Sequence, residues 1–543
     1  MCSAQSTPPV PEHHHHHDDA PAPGEKLGQV SFPTSCASGS QAAMERGVAL
    51  LHSFGYTIAA MQFEAIAKDD PACAMAHWGI AMTQFTELWQ HPDEAQWKRG
   101  TAEMAKARAL AAPPARITPR EQAYIDALSA FFDPAKTSFE QRADAYEAKM
   151  NALHAMFPDD VEGAAFDALS MLASVPPGDA SLTHEHQALA ILVPLFASHP
   201  DHPGLAHYII HTCDTPALAP DGLAAAREYA RIAPSSPHAL HMPGHIFARL
   251  GMWQEDIDSN LASVKASEKA QAGGEPGAAH QMHADEFLIY AYLQVGEDEK
   301  ARLLTSRMAE IGQQMAAMPG MDDMKDVGPF FANELNAVYA VEMHDWKAAA
   351  ALQAAAGSPP DQSFDTYWGQ GIAAGHLHDA KLAASALAGL DRDGDAMKNS
   401  PYAAYFVNSF GIKRDEVLGW QALAEDRPEA AVTAMRRAAD QQDKLGQDEV
   451  DIPAREMLGD LLLMEHKPAE ALAEYRVALT LSPNRLNGLL SAGNAAEQAG
   501  LTDQARAFYG AAARQTSSGA NSARPELAHA VQVAASAVAA KTD

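Results

Sequence analysis

The amino-acid sequence predicts an all-α protein built from repeated helix pairs. Three observations point there. The segment EALAEYRVALTLSPN, Glu470 to Asn484, lines up with QARAFYGAAARQTSS, Gln504 to Ser518, at a shift of 34 residues, with Ala471 over Ala505 and Tyr475 over Tyr509. A fixed period of that size marks a helical repeat, because one helix pair cannot bury its apolar face alone and must stack on its neighbours. Alanine, leucine and glutamate recur at helical spacing, the composition of long helical proteins. No run alternates apolar and polar residues in the manner of a half-buried strand.

Residues 1–28 read as a disordered leader. Pro8, Pro9, Pro11, Pro21 and Pro23 surround His13, His14, His15, His16 and His17, followed by Asp18 and Asp19. Nothing in this stretch can form a core. The five adjacent imidazoles make a flexible metal-capture tract, with a purification tag as the alternative. Met1-Cys2-Ser3 ahead of a polar, proline-rich tail has the look of a mature bacterial lipoprotein in which Cys2 is the acylation site. The alternative is a chance cysteine near the terminus. No stretch approaches the roughly 20 apolar residues of a membrane helix. Membrane contact is therefore expected only through a lipid on Cys2, and the expected location is the periplasm or the outer membrane of a bacterium.

Residues 29–395 read as the N-terminal and central repeats. Val48, Leu50, Leu51, Phe54, Ile58, Met61 and Phe63 are spaced for one amphipathic helix or a tight pair, and Asp69-Asp70-Pro71 ends it. CAMAHWGIAM, Cys73 to Met82, opens another helix, and Pro113-Pro114 breaks the next. Thr118-Pro119-Arg120-Glu121 supplies an N-cap threonine, proline in the first turn and glutamate three residues on, a capping-box start. Helices follow at 121–132, 139–156, 160–173 and 184–198, each closed by proline or Asp-Pro punctuation. An exported chain could join Cys36 to Cys73, with separate thiols as the alternative.

The central repeats divide into helix A at 203–213 with helix B at 222–232, then helix A from 236 with helix B from Trp253, then helix A at 279–294 with helix B at 297–312. Asp221 is the expected N-cap of the first helix B and Pro234 its stop, while Gly251 and Gly296 supply turns. Pro243 should split or kink its helix near His245. Residues 396–516 form the C-terminal repeats, including PEAAVTAMRRAADQ at Pro428 to Gln441. Residues 517–543 form a Ser- and Ala-rich tail with a capping helix near 525–540.

These helix pairs resemble the tetratricopeptide repeat (TPR) family. The blocks SFPTSC (Ser31 to Cys36), LLHSF (Leu50 to Phe54), CAMAHWGIAM, HPGLAHYIIH (His202 to His211), HALHMPGHIFARLGMW (His238 to Trp253) and FLIYAYLQ (Phe287 to Gln294) are similar to those of uncharacterised exported bacterial TPR proteins. The resemblance implies a right-handed α-solenoid of antiparallel helix pairs with a concave groove for a protein or peptide partner. It also implies an envelope location and A helices that face inward. It brings no settled activity.

The stretch His202 to His245 holds six histidines: His202, His207, His211, His238, His241 and His245. His207-x3-His211 and His241-x3-His245 have the same internal spacing, and 34 residues separate one pair from the other. Residues four apart lie on one helix face about 5–6 Å apart at Cβ, and packed helices lie about 8–10 Å apart. Two matched pairs on successive A helices could therefore meet at one ion. Zinc and copper take imidazole nitrogens at about 2.0–2.1 Å. His280, His283 and Glu286 on the next A helix could complete the shell, with Asp214 and Asp285 as outer acceptors. Ordinary polar packing of these histidines is the competing reading.

The formal net charge of −31 argues against a nucleic-acid partner, which demands a basic footprint. The sequence thus favours an envelope TPR protein that binds copper or zinc and hands it to a partner. A metal-dependent hydrolase or oxidase on the same ligands is the first alternative. HYIIH and HMPGH have zinc-protease spacing but lack its glutamate base, for which Glu286 or Asp285 would have to stand in. No phosphate loop or nucleophile elbow is present. A metal-free TPR scaffold for protein partners is the second alternative.

Overall fold

The computed structural model describes residues 24–86, 91–114, 117–176, 178–272, 279–317, 327–398, 400, 403–446, 450–516, 522 and 524–539. Cys2 and His13 to His17 lie outside the described residues. Among the described residues all regular structure is helical, and no helix is long and apolar enough to cross a membrane. Each helix packs mainly on its neighbours in sequence. This is the TPR-like α-solenoid.

The repeat chemistry shows in one recurring contact. Gly459 lies against the ring of Tyr475, and Gly493 lies against the ring of Tyr509. A side chain on either glycine would strike its tyrosine. Small residue and large ring thus recur together 34 residues apart, and the paired helices approach closely where they do.

Local signals placed most boundaries. Thr118 and Glu121 form the reciprocal capping box that starts the Pro119–Phe131 helix. The first apolar stretch is a tight pair, Gln41–His52 and Tyr56–Asp69. The helix containing Pro243 divides into Pro237–His241 and Pro243–Arg249, since proline brings no N–H to the break. Asp221 is not an N-cap. Leu218 holds that place, because Pro220 fits the first turn of Ala219–Ile232 and the helix begins before Asp221. The expected helix at 297–312 is two, Asp298–Thr305 and Met308–Ala316. A helix over Pro525–Ala539 follows the last repeat.

Most buried apolar residues form two large clusters, one from Leu27 to Phe247 and one from Ala248 to Ala530, beside a small one of Ala340, Ala349 and Ala373. The two large clusters meet at the Pro243–Arg249 helix. The C-terminal repeats fold back onto the second cluster at the same level. Gly251 turns with φ +63 directly against the Pro483 carbonyl, and Trp253 Nε1 donates to Asn484 O at 2.8 Å. Nearby, buried Arg485 pairs with Glu342 at 2.6 Å and Glu456 at 3.0 Å. A disulfide joins Cys36 to Cys73, and Cys213 is a buried free thiol.

Candidate metal centre

Four helices at the junction of the two apolar clusters carry the histidines. Pro203–Thr212 starts on His202, whose Nδ1 accepts the Leu205 N–H at 3.2 Å. That helix presents His207 and His211 one turn apart. Ser236 caps Pro237–His241, which carries His238 and His241, and Pro243–Arg249 carries His245. Ala279–Gln294 carries His283, Asp285 and Glu286. The side chain of His280 lies outside the described residues.

The six rings sort into two triads. His207, His211 and His238 form one, and His241, His245 and His283 form the other. Within each triad one nitrogen per ring lies within 4.8 Å of the others. Each His-x3-His pair therefore gains its third member from a different helix. Facing nitrogens are closer still, with His207 Nε2 to His238 Nε2 at 3.0 Å and His241 Nε2 to His245 Nε2 at 3.0 Å. Two tetrahedral ligands of one zinc or copper ion stand about 3.3 Å apart, given bonds of about 2.0–2.1 Å.

The hydrogen bonds on the opposite side of the rings fix which nitrogen faces inward. His207 Nδ1 donates to the His52 carbonyl at 2.6 Å. His245 Nδ1 donates to Asp214 Oδ2 at 2.9 Å, and His283 Nδ1 donates to Glu286 Oε2 at 2.8 Å. His241 Nδ1 faces Asn260 Oδ1 at 2.6 Å. The Asn260 amide is itself oriented by donating to Asp256 Oδ1 at 2.6 Å, so its oxygen must accept from His241. With their protons committed outward, these four rings turn Nε2 lone pairs toward the triads. Metal-ligating histidines are held in this way by outer acceptors.

The triads lie inside the protein rather than along an open groove. His207, His238, His241 and His245 are buried, whereas His211 and His283 are half-buried. A phenylalanine packs on each triad. Phe54 lies 4.4 Å from His207, 5.4 Å from His211 and 5.6 Å from His238, ring centre to ring centre. Its backbone adopts φ 51, a region costly for a bulky residue. Phe287 lies 5.0 Å from His241, 4.8 Å from His245 and 5.3 Å from His283. Burial, with His211 beside it, holds the His207 ring well below its usual pKa. Burial and His245 lower His211 to about 3. Both rings are thus neutral at neutral pH, the state a metal requires.

The remaining sequence candidates have distinct places. His202 stands with His52 and Glu162 in a separate buried group. Glu162 accepts from His52 Nε2 at 2.6 Å, His202 Nε2 at 3.2 Å and the Ser31 N–H at 3.1 Å. Burial opposes the charge on Glu162, but His202 and His52 outweigh it and hold its carboxyl far below the usual range. Asp214 binds Arg249 Nε at 3.0 Å as well as His245. Asp285 faces Gln281, and burial raises its carboxyl to about 7. Burial pushes the Cys213 thiol up to about 12, which makes it a poor ligand. Sequence reasoning did not single out His52, Glu162, Asp256, Asn260 or Arg249. His52 and Arg249 stood inside the quoted blocks LLHSF and HALHMPGHIFARLGMW, and Asp256 and Asn260 are spaced i,i+4.

No family model matches the chain, and no curated protein matches it. Solved helical proteins share its general course. A human IFIT1 dimer with m7Gppp-AAAA is 12% identical over 82% of this chain and 90% of that one, with a TM-score of 0.37. The Cut9–Hcn1 hetero-tetramer of the APC/C is 13% identical over 90% of this chain and 96% of that one, with a TM-score of 0.33. The TPR domain of P58(IPK) is 15% identical over 70% of this chain and 99% of that one, with a TM-score of 0.21. Scores this low carry no argument about function, which must come from the chain's own residues.

Proposed function

We propose that this TPR-like protein binds a transition metal, copper or zinc, through its buried histidine triads. The observation that carries the reading is the facing pair His241 Nε2 and His245 Nε2, 3.0 Å apart, with both Nδ1 protons committed to Asn260 and Asp214. Two imidazole lone pairs aimed at each other repel unless a proton or a metal ion lies between them. Imidazole suits copper and zinc, whereas the harder divalent ions favour oxygen. The outer acceptors Asp214, Asn260 and Glu286 supply the support that ligating histidines require.

The cell envelope is the proposed location, supported by the Cys36–Cys73 disulfide, since such bonds persist in oxidising compartments. Delivery of the metal to a protein partner belongs to the same proposal. The test is elemental analysis of full-length chain bearing His13→Ser to His17→Ser, purified without an affinity metal and exposed to copper or zinc. Stoichiometric metal that is lost in His207→Ala/His241→Ala supports the reading. Substoichiometric metal, unchanged in that variant, refutes it.

A further inference from the structure

The two triads are not separate compartments. His211 of the first triad lies 6.3 Å from His245 of the second, and His238 lies 6.2 Å from His241. Within the first triad the widest ring separation is 6.4 Å, between His211 and His238. These two cross-junction pairs are therefore as close as the widest pair inside the first triad. The segment around Met242-Pro243 carries rings of both triads. One helix ends at His241 and the next starts at Pro243, and His238 joins the triad of the preceding helix while His241 and His245 join that of the following one.

Resting on the reading that the triads bind metal, we infer that they form one dinuclear copper centre whose two ions share an exchangeable bridging hydroxide. Among the described residues, six imidazole nitrogens and no carboxylate oxygen make up the two groups, a donor set that suits copper better than manganese, magnesium or calcium. The carboxylates Asp214 and Glu286 remain outside, bound to Nδ1 of His245 and His283, where they offset part of the metal charge. Ions held in the two triads would share this junction, and one oxygen atom spans two metals when they stand about 3.5–4 Å apart. Three ligands per ion leave a coordination position open to the bridge. Water entering between two copper(II) ions loses one proton to solvent, and its oxygen bonds to both. The half-buried rings are one from each triad, His211 and His283, which gives the junction its solvent side.

The test uses the full chain with His13→Ser to His17→Ser, loaded with copper(II), and measures copper per chain and the electron paramagnetic resonance signal. The expected result is two coppers per chain, most of them silent through coupling across the bridge. His211→Gln and His283→Gln should each halve the copper content and make the remaining ion fully visible. Their fold is checked by circular dichroism, and the parent protein decides the matter alone if they unfold. One copper per chain, or two coppers with full signal, overturns the bridged centre while leaving metal binding intact. No copper beyond that of His207→Ala/His241→Ala overturns both.

Discussion

Replacing Asn260 by leucine tests how the second triad is aimed. Asn260 is fully buried, and its Oδ1 is the acceptor for His241 Nδ1 at 2.6 Å. Leucine fills a similar volume but accepts nothing. The His241 proton then loses its outward partner, and the tautomer with hydrogen on Nε2 competes with the ligand form. Loss of an outer partner costs about 10–100-fold in metal affinity, or roughly 1.4–2.7 kcal/mol. The first triad is the internal control, because His207 is oriented by the His52 backbone carbonyl, which no side-chain change removes. Leucine also strips Asp256 Oδ1 of the Asn260 donor at 2.6 Å, so the apo protein should lose about 1–3 kcal/mol. Competitive titration against a chromogenic chelator, on folded variant and parent, reads the affinities of the tight and weak ions separately. One ion should weaken about 10–100-fold, and the other by less. An equal loss at both triads, or no loss at either, would refute the assignment of Asn260.

Three further outcomes follow from contacts around and beyond the triads. Phe54→Ala removes the ring over the first triad and should cost about 3–5 kcal/mol in urea unfolding, while chelator-driven metal loss becomes faster. Unchanged release kinetics would show that the ring does not guard the site. Arg485→Met leaves Glu342 and Glu456 buried without their cation and should destabilise the chain by about 3–5 kcal/mol. A loss below about 1 kcal/mol would place those carboxylates in water. His376 stacks between Trp346 and Trp420, and burial together with His344 and His378 lowers its pKa to about 3. The unfolded chain then binds the extra proton, so stability is present above about pH 6.5 and falls as pH drops toward 3, by at most about 1.4 kcal/mol per unit. His376→Phe should flatten that slope in urea midpoints measured across the window, and an unchanged slope would exclude His376 as its source.

The repeat architecture was legible because its cause is local. Ala471 and Ala505, Tyr475 and Tyr509 recur at 34 residues because each helix pair solves the same packing problem, with Gly459 and Gly493 receiving the tyrosine rings. The break at Pro243 and the cap at Thr118 follow from backbone donors that are missing or satisfied within a few residues. The split of 297–312 had no such signal, since neither proline nor glycine marks Ser306-Arg307.

The grouping of histidines was only half legible, for a geometric reason. Helical spacing states which side chains share a face of one helix and is silent on which helix that face meets. It therefore brought out His207 with His211 and His241 with His245, but did not assign His238 and His283, also candidates, to separate triads. His202 shows the limit. It lies five residues before His207, which is about 140° around a helix at 3.6 residues per turn, so the two rings leave the helix in different directions. His202 meets Glu162 and, through it, His52, contacts that span 40 and 110 residues of chain. The segment around Pro243 has the opposite effect. His238 and His241 stand three residues apart on one short helix, yet they join different triads, His238 with His207 and His211, His241 with His245 and His283. One histidine-rich segment thereby reaches both triads, because it is packed between the helices that carry their other members, at the level where the two apolar cores meet.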